Sequence, residues 1–296
     1  MGTNRLGEAG VDPSVWPPIV ERALELGVNF FDTSISYNEG RSEAILGQVI
    51  SRWPGPTVIA TKGGYAIDYI VSGAQPLRDF TARAILEDID GQLTRLRRDS
   101  IDMYMLHSPS VNILETHDWA TAVDILKRQA KIRWFGISTS DHASGIWSIE
   151  HGADLLQIEY DLLNPTAEDE LLPLAARHNV GIMARTPLAR GLLTGKFKAG
   201  EAIPADQHWR RPRGDRLQLR LERVEQLRFL ERSGQTLAQA ALRFVLANPA
   251  VHCVVPGART VQQLESNAPA ADAELEGEEL RRIEQLHAAW RAQGRW

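Results

Sequence analysis

Short hydrophobic runs, rich in β-branched residues, alternate along the chain with longer segments of helical periodicity. In Arg83–Leu96, for example, Ile85, Ile89 and Leu93 recur at helical spacing with charged residues between them. The short runs predict strands at Val28–Thr33, Thr57–Thr61, Ile101–Leu106, Ile132–Ile137, Leu155–Tyr160, Val180–Ala184 and His252–Val255. The longer segments predict helices at Pro18–Leu26, Ser42–Ile50, Arg83–Leu96, Trp119–Gln129, Glu168–His178, Leu237–Leu246 and Glu278–Trp290, with Thr81 and Thr236 as N-caps.

This alternation predicts a parallel sheet covered by helices. The predicted strands are apolar on both faces, which is typical of parallel strands buried under helices. An open dinucleotide-binding sheet should carry G-x-G-x-x-G after an early strand, and no such motif follows any of these strands. We therefore predict one α/β domain over residues 1–296, a (β/α)8 TIM barrel.

Polar residues stand at the ends of the predicted strands, where a barrel of this kind carries its functional groups. They are Asp32 and Thr33, Lys62, His107, Ser138 and Thr139, Gln157, Arg185 and Thr186, and Arg259. Each residue alone would have an ordinary structural explanation. An Asp, a Lys and a His on three strands, all at the same rim, instead converge on one cavity, and we interpret them as a catalytic site.

The chemistry of that site follows from its residue types. A lysine near a carboxylate stays protonated, and its charge stabilises a nearby anion. Tyr37 follows Asp32 by five positions, and an ammonium group beside its phenol would make Tyr37 a workable general acid. We expect His107 to orient the same oxygen. The set would deliver a proton to a polarised oxygen, such as that of a carbonyl, and no His or Cys cluster of metal-ligand spacing accompanies it.

Composition excludes several other classes of protein. The 296 residues carry a formal net charge of −5, whereas a dedicated nucleic-acid binder is basic. A single cysteine, Cys253, allows no internal disulfide, and no apolar run reaches the roughly 18 residues of a membrane span. The first residues lack the apolar core of a secretory signal. We expect a cytoplasmic protein with no nucleic-acid or membrane partner, and an oligomer is allowed.

Seven motifs spread along the chain carry a family resemblance. They are GVNFFDTSISYNEGRSEAILG, VIATKGG, IDMYMLHSP, WFGIST, QIEYDLLN, TPLARGLLTGKF and VVPGARTVQQLESN. Together they resemble the aldo-keto reductase superfamily over nearly the whole chain. The resemblance implies a barrel that binds NAD(P)H along its C-terminal rim, without a Rossmann domain, and reduces aldehydes and ketones by hydride transfer.

The resemblance also implies a role for each catalytic residue. Tyr37 matches the proton donor, and Lys62 matches the lysine that makes this tyrosine a stronger acid. Asp32 matches the carboxylate that pairs with the lysine, and His107 matches the histidine that positions the carbonyl oxygen. Asn38 stands where the family usually has Gly after the tyrosine, and Asn tolerates the same left-handed backbone conformation.

The implied cofactor contacts lie on the later strands and loops. Ser138 and Gln157 match groups that hold the nicotinamide carboxamide, Thr139 stands where Asn is common, and Arg185 stands where an aromatic ring often stacks. Contacts to the pyrophosphate and the adenosine are implied for Thr186, Pro187, Leu188, Arg190, Gly191 and Lys196, and for Gly257, Arg259, Gln263 and Asn267. Arg259 favours NADPH, because a guanidinium group can bind a 2′-phosphate bidentately. NADH remains an alternative.

The sequence therefore predicts an NADPH-dependent carbonyl reductase acting on an aldehyde, a ketone or a sugar-like ketone. One alternative is a relative that retains NADP(H) and uses it transiently, as an epimerase or dehydratase. Another is a non-catalytic subunit that senses NADP(H). Substrate choice is expected in the loops Gly63–Leu77, Ser108–His117 and Arg190–Asp215, with Tyr65, Tyr69 and Trp209 as candidate lining residues.

The beginning of the chain departs from the expected pattern. In the family, a first strand ends in a Gly-Thr pair, and this chain opens with Met1, Gly2 and Thr3. We therefore expect a first strand truncated at the N-terminus, seven complete strands, and an open gap between the strands Val28–Thr33 and His252–Val255.

Overall fold

Seven parallel strands form one sheet whose order follows the sequence. The computed structural model describes residues 1–65, 78–200 and 214–294. The strands are β1 (Phe30–Asp32), β2 (Val58–Gly63), β3 (Ile101–His107), β4 (Ile132–Thr139), β5 (Leu155–Glu159), β6 (Gly181–Arg185) and β7 (Cys253–Val255). They form a nearly closed barrel surrounded by helices. The predicted strands and the predicted fold class are thus confirmed.

The helices pack on the outside of this sheet. Within the described ranges they are α1 (Trp16–Glu25), α2 (Arg41–Ile50), α3 (Ala82–Leu96), α4 (Val111–Thr116), α5 (Trp119–Arg128), α6 (His142–Glu150), α7 (Leu171–His178), α8 (Asp215–Gln226), α9 (Leu237–Ala247), α10 (Val261–Asn267) and α11 (Gly277–Ala292). Thr81 and Thr236 cap α3 and α9 as predicted. None of the helices in the described part of the chain is both long and apolar enough to cross a membrane.

The sequence pattern did not predict α6, and its packing explains why. The helix buries Ser144, Gly145 and Ser148 together with Ile149. A Cβ added at Gly145 would lie 2.8 Å from a side-chain carbon of Leu171 in α7, so the two helices approach closely. A helix that packs through small residues has little apolar periodicity to recognise.

Two apolar clusters hold the barrel together. Ala60, Met105, Leu155, Met183 and Val255 fill its interior. The other faces of the strands contribute to a larger cluster with the surrounding helices. Alternate residues of each strand therefore face the barrel interior and the helix layer, as parallel barrel strands require.

Residues 1–3 lie between β1 and β7, which corrects the expectation of an open gap. The Asp32 amide donates to Met1 O at 2.9 Å, and the Thr3 amide donates to Asp32 O at 2.9 Å. On the other side, the Gly2 amide donates to Pro256 O at 2.9 Å. Gly2 thus forms parallel bridges with Asp32 and Gly257 and joins the two strands at the carboxyl end. These three residues take the place of an eighth strand where the site lies, and the first strand is not clearly truncated.

An apolar cavity of about 140 Å³ lies beside these residues. It opens between the start of β1, strand β7 and the helices α9 and α10. Its lining includes Met1, Val28, Val254, Leu242, Leu246 and Leu264.

Candidate active site

Lys62 is the centre of the buried polar cluster at the rim. Its Nζ donates to Asp32 Oδ1 at 2.8 Å, to Thr33 O at 2.8 Å and to the Tyr37 hydroxyl at 3.1 Å. The Lys62 side chain is fully buried, and the side chain of Asp32 is 6% exposed. All three donors of the ammonium group therefore have partners, which is the condition under which a buried charge is tolerated. Asp32, Lys62 and Tyr37 thus come together as the sequence predicted.

The ammonium form of Lys62 is the favoured one in this environment. Burial by itself lowers the pKa of this lysine, because it removes water from the charged form. The charge of Asp32 and the interactions with Tyr37 outweigh burial, and the net shift raises the pKa above its ordinary 10.5. The site therefore holds a fixed positive charge beside the Tyr37 oxygen.

A chain of hydrogen bonds extends from Lys62 across the barrel mouth. Gln157 Nε2 donates to Asp32 Oδ1 at 2.8 Å, and Ser138 Oγ donates to Gln157 Oε1 at 2.7 Å. Both residues are buried. Ser138 and Gln157 thus fix the orientation of the carboxylate that pairs with Lys62. The neighbouring Thr139 Oγ1 accepts from the Asp141 amide at 2.9 Å at the start of α6.

His107 ends β3 and lies between two tyrosine rings. Its ring meets Tyr37 edge-on at a centroid distance of 5.9 Å and Tyr65 at 5.0 Å. Its Nδ1 lies 3.2 Å from Ser34 Oγ and 3.3 Å from Ser36 Oγ. A hydroxyl that donates to Nδ1 leaves the ring hydrogen on Nε2, where it can be donated to a substrate. The hydroxyl groups of Ser34 and Ser36 are therefore both within hydrogen-bond reach of the imidazole.

The substrate-pocket candidates are only partly described. Tyr65 is buried against His107. The guanidinium group of Arg78 lies over the Tyr65 ring, with its central carbon 5.5 Å from the ring centroid. Tyr69 and Trp209 lie outside the described residues. Asn38 adopts φ +50°, the left-handed conformation expected at that position. Its Nδ2 donates to Leu6 O at 2.7 Å, which ties the Tyr37 loop to the start of the chain.

The end of β6 and the loop after it each present an arginine at the rim. Glu159 Oε1 lies 2.8 Å from an amino group of Arg190 and 3.4 Å from one of Arg185. The Nε of Arg185 is buried and has no hydrogen-bond partner among the described residues. Such an unsatisfied donor, next to a second guanidinium group, suits a phosphate or an amide oxygen.

The backbone of this loop is strained. Thr186, Ala189 and Arg190 adopt φ values of 54°, 47° and 58°, which side chains with a Cβ rarely occupy. Strain of this kind persists only where the surrounding structure enforces it, and it is frequent at ligand sites. Pro187, Leu188 and Gly191 belong to the same turn, and the Lys196 ammonium that follows lies 4.8 Å from the Phe197 ring centroid.

The motif after β7 lies opposite residues 5–8, across the seam of the barrel, which is the junction between β1 and β7 that residues 1–3 fill. Gly257 pairs with Gly2, and the Arg259 amide donates to Gln263 Oε1 at 2.9 Å. The Arg259 side chain donates to Glu8 Oε2 at 3.1 Å. Asn267 is placed differently, because it ends α10 and lines the apolar cavity.

Sequence reasoning missed Ser34, Ser36, Glu8 and Glu159. Glu159 follows Gln157 by two positions on β5, so strand alternation could have placed both on the same face. The serines and Glu8 gave no such signal, because their contacts with His107 and with Arg259 span 71 or more positions in the sequence.

Comparison with known proteins identifies clear relatives. A sequence profile described as the Aldo/keto reductase family matches residues 1–288. The chain is 33% identical over 277 residues to the uncharacterized oxidoreductase YqkF of Bacillus subtilis (strain 168), covering 90% of this chain and 85% of that protein.

Solved structures similar to this chain also include an aldo-keto reductase. The holo form of aldo-keto reductase AKR11C1 from Bacillus halodurans is similar with a TM-score of 0.80 at 28% identity, covering 97% of this chain and 90% of that one. The glycerol dehydrogenase AKR11B4 from Gluconobacter oxydans has a TM-score of 0.81 at 27% identity, covering 98% and 90%.

Proposed function

Because this chain belongs to the aldo/keto reductase family, we propose that it is an NAD(P)H-dependent carbonyl reductase. Its substrate is an aldehyde, a ketone or a sugar-like ketone, and Tyr37 is the proton donor. The observation that carries this proposal is the 3.1 Å contact between the Tyr37 hydroxyl and the buried Lys62 ammonium. A phenol held against a fixed cation can pass its proton to an acceptor, because the cation stabilises the phenolate that forms.

The residues of the site divide the work of proton delivery. Bound reduced nicotinamide would supply the hydride that adds to the carbonyl carbon. Tyr37 then gives its hydroxyl proton to the carbonyl oxygen, which becomes the hydroxyl group of the product alcohol. Lys62 stabilises the phenolate left on Tyr37, and Asp32 keeps Lys62 charged and in place. His107 donates a hydrogen bond to the carbonyl oxygen and orients it toward Tyr37.

The donors around the rim fit a nicotinamide dinucleotide. Ser138, Gln157 and Thr139 lie next to the catalytic cluster, where they would hold the carboxamide. The guanidinium groups of Arg185 and Arg190 supply positive charge for the pyrophosphate, and the unsatisfied Nε of Arg185 is a further donor. Arg259 would hold the 2′-phosphate of NADPH, so we propose NADPH as the preferred cofactor, with NADH as the alternative.

A panel of aldehydes and ketones, assayed with NADPH and with NADH, tests the proposal. We expect loss of absorbance at the reduced-nicotinamide band, dependent on the carbonyl compound, with one molecule of alcohol formed for each cofactor oxidised. Turnover of a sugar-like substrate without net cofactor oxidation would instead identify an epimerase or dehydratase. Tight cofactor binding with no reduction of any carbonyl compound would favour a sensing subunit.

A further inference from the structure

Glu8 brings two guanidinium groups together at the seam of the barrel. Its Oε2 lies 3.1 Å from an amino group of Arg259, and its Oε1 pairs with Arg5. Residues 5–8 form a tight turn in which the Glu8 amide donates to Arg5 O at 3.2 Å. A bond between Asn38 and Leu6 O braces this turn from the catalytic loop. The Glu8 carboxylate is thus held in a fixed position against a cation that comes from the other end of the chain.

We propose that Glu8 is a specificity-determining residue for the cofactor. Its carboxylate occupies Arg259 as an internal substitute for the 2′-phosphate of NADPH and so lowers the enzyme's preference for NADPH over NADH. This inference rests on the proposed function, because it assumes that the rim binds a nicotinamide dinucleotide.

The two cofactors differ in a single group, and Glu8 acts on that group. NADH presents a neutral 2′-hydroxyl, whereas NADPH presents a phosphate with nearly two negative charges. To bind that phosphate, Arg259 must give up its ion pair with the Glu8 carboxylate. The phosphate then lies beside this carboxylate, which has the same sign of charge. The loss of the Glu8–Arg259 ion pair and the repulsion between Glu8 and the phosphate both weaken NADPH binding. Neither affects NADH, since the two cofactors are otherwise identical.

The exposure of the pair limits the size of the effect. The side chains of Arg259 and Glu8 are 43% and 29% exposed, so solvent screens the interaction. We expect that Glu8→Gln tightens NADPH binding by about two- to fivefold, within the range for exposed charge pairs. The Kd for NADH should stay unchanged.

The test is equilibrium binding of NADPH and NADH, followed by the fluorescence of the reduced nicotinamide. The matched control is Glu25→Gln, which removes one negative charge from an exposed pair with Arg22 on α1. We expect the ratio of the two Kd values to shift in Glu8→Gln and to remain at the wild-type value in the control. An unchanged ratio in Glu8→Gln, with both cofactors still bound, would overturn the inference alone. A wild-type protein that binds neither nucleotide would overturn the proposed function as well.

A double-mutant cycle with Arg259→Ala establishes how Glu8 acts. If Glu8 works by occupying Arg259, then Arg259→Ala weakens NADPH binding more in the Glu8→Gln background than in the wild type. Equal losses in the two backgrounds would show that Glu8 does not act through Arg259. Adenosine 2′,5′-bisphosphate, compared with adenosine 5′-monophosphate as a competitor, should reproduce the same coupling, because this pair of ligands isolates the 2′-phosphate.

Discussion

The Nζ atom of Lys62 lies 3.1 Å from the hydroxyl oxygen of Tyr37, and the ammonium group is fully buried. The two residues come from different segments, since Lys62 belongs to β2 and Tyr37 to the loop after β1. Asp32, at the end of β1, balances the lysine charge. The contact therefore joins a phenol hydroxyl to a cation that the fold keeps protonated.

Tyr37→Phe should remove the proton donor while it leaves the ring in place. We expect a fall in kcat of about 10²–10⁴-fold, the usual contribution of a positioned general acid. The Kd of the reduced cofactor, measured by fluorescence, should change little. Tyr65→Phe is the matched control, because its ring also packs on His107. Wild-type carbonyl reduction by Tyr37→Phe would show that Tyr37 is not the donor.

Lys62→Met should destabilise the fold as well as abolish activity. It leaves the carboxylate of Asp32 buried without its cation, and breaking a buried ion pair costs about 3–5 kcal/mol. The double variant Lys62→Met/Asp32→Asn should recover most of the free energy of unfolding in urea but none of the activity. If the double variant is as unstable as the single one, the unpaired charge on Asp32 is not the cause of the instability of Lys62→Met.

The urea unfolding of the Lys62 variants should be measured at neutral pH, because the pKa of Lys62 is raised and the lysine is fully charged there. The pKa of Lys62 is raised in the folded state, so the stabilisation by the charged lysine is fully present below its ordinary value of 10.5. It is lost as the pH rises through the folded-state value.

Ser34→Ala and Ser36→Ala should remove the hydroxyl groups that contact Nδ1 of His107, and with them the stabilisation of the Nε2–H tautomer that we expect. A lost hydrogen bond worth about 0.5–1.5 kcal/mol corresponds to a loss of about two- to tenfold in kcat/KM. Nitrogen NMR of the His107 ring should show a larger share of the Nδ1–H form. Ser51→Ala, at an exposed serine, is the control. An unchanged tautomer in the double serine variant would exclude the positioning role.

We expect Asp88 on α3 to make the stability depend on pH between about 4 and 7. Burial raises the pKa of this carboxyl to about 7, and Arg95 offsets only part of the effect. Because the raised pKa disfavours the ionised form, this carboxylate lowers the stability as pH rises from about 4 to about 7. Asp88→Asn should therefore stabilise the protein at about pH 8 and much less at about pH 5. Urea unfolding at both pH values checks this, and an equal gain at both would contradict it.

The sequence by itself determined the parallel barrel and the polar residues at the carboxyl end of its strands. Hydrophobic runs of strand length alternate with helical periods, and parallel strands place all their carboxyl ends at one rim. Asp32, Lys62 and His107 could therefore be placed together without coordinates. Helices that pack through small residues, such as α6, escaped prediction because their sequences carry little apolar periodicity.

Only the tertiary structure decided how the barrel closes and which side chains pair across it. Residues 1–3 close the seam through backbone groups, whose partners no side-chain pattern reveals. The pairing of Glu8 with Arg259 spans 251 positions, and that of Ser34 with His107 spans 73. Such contacts depend on distances set by the packing of the whole barrel, because a shift of one or two ångströms makes or breaks a hydrogen bond.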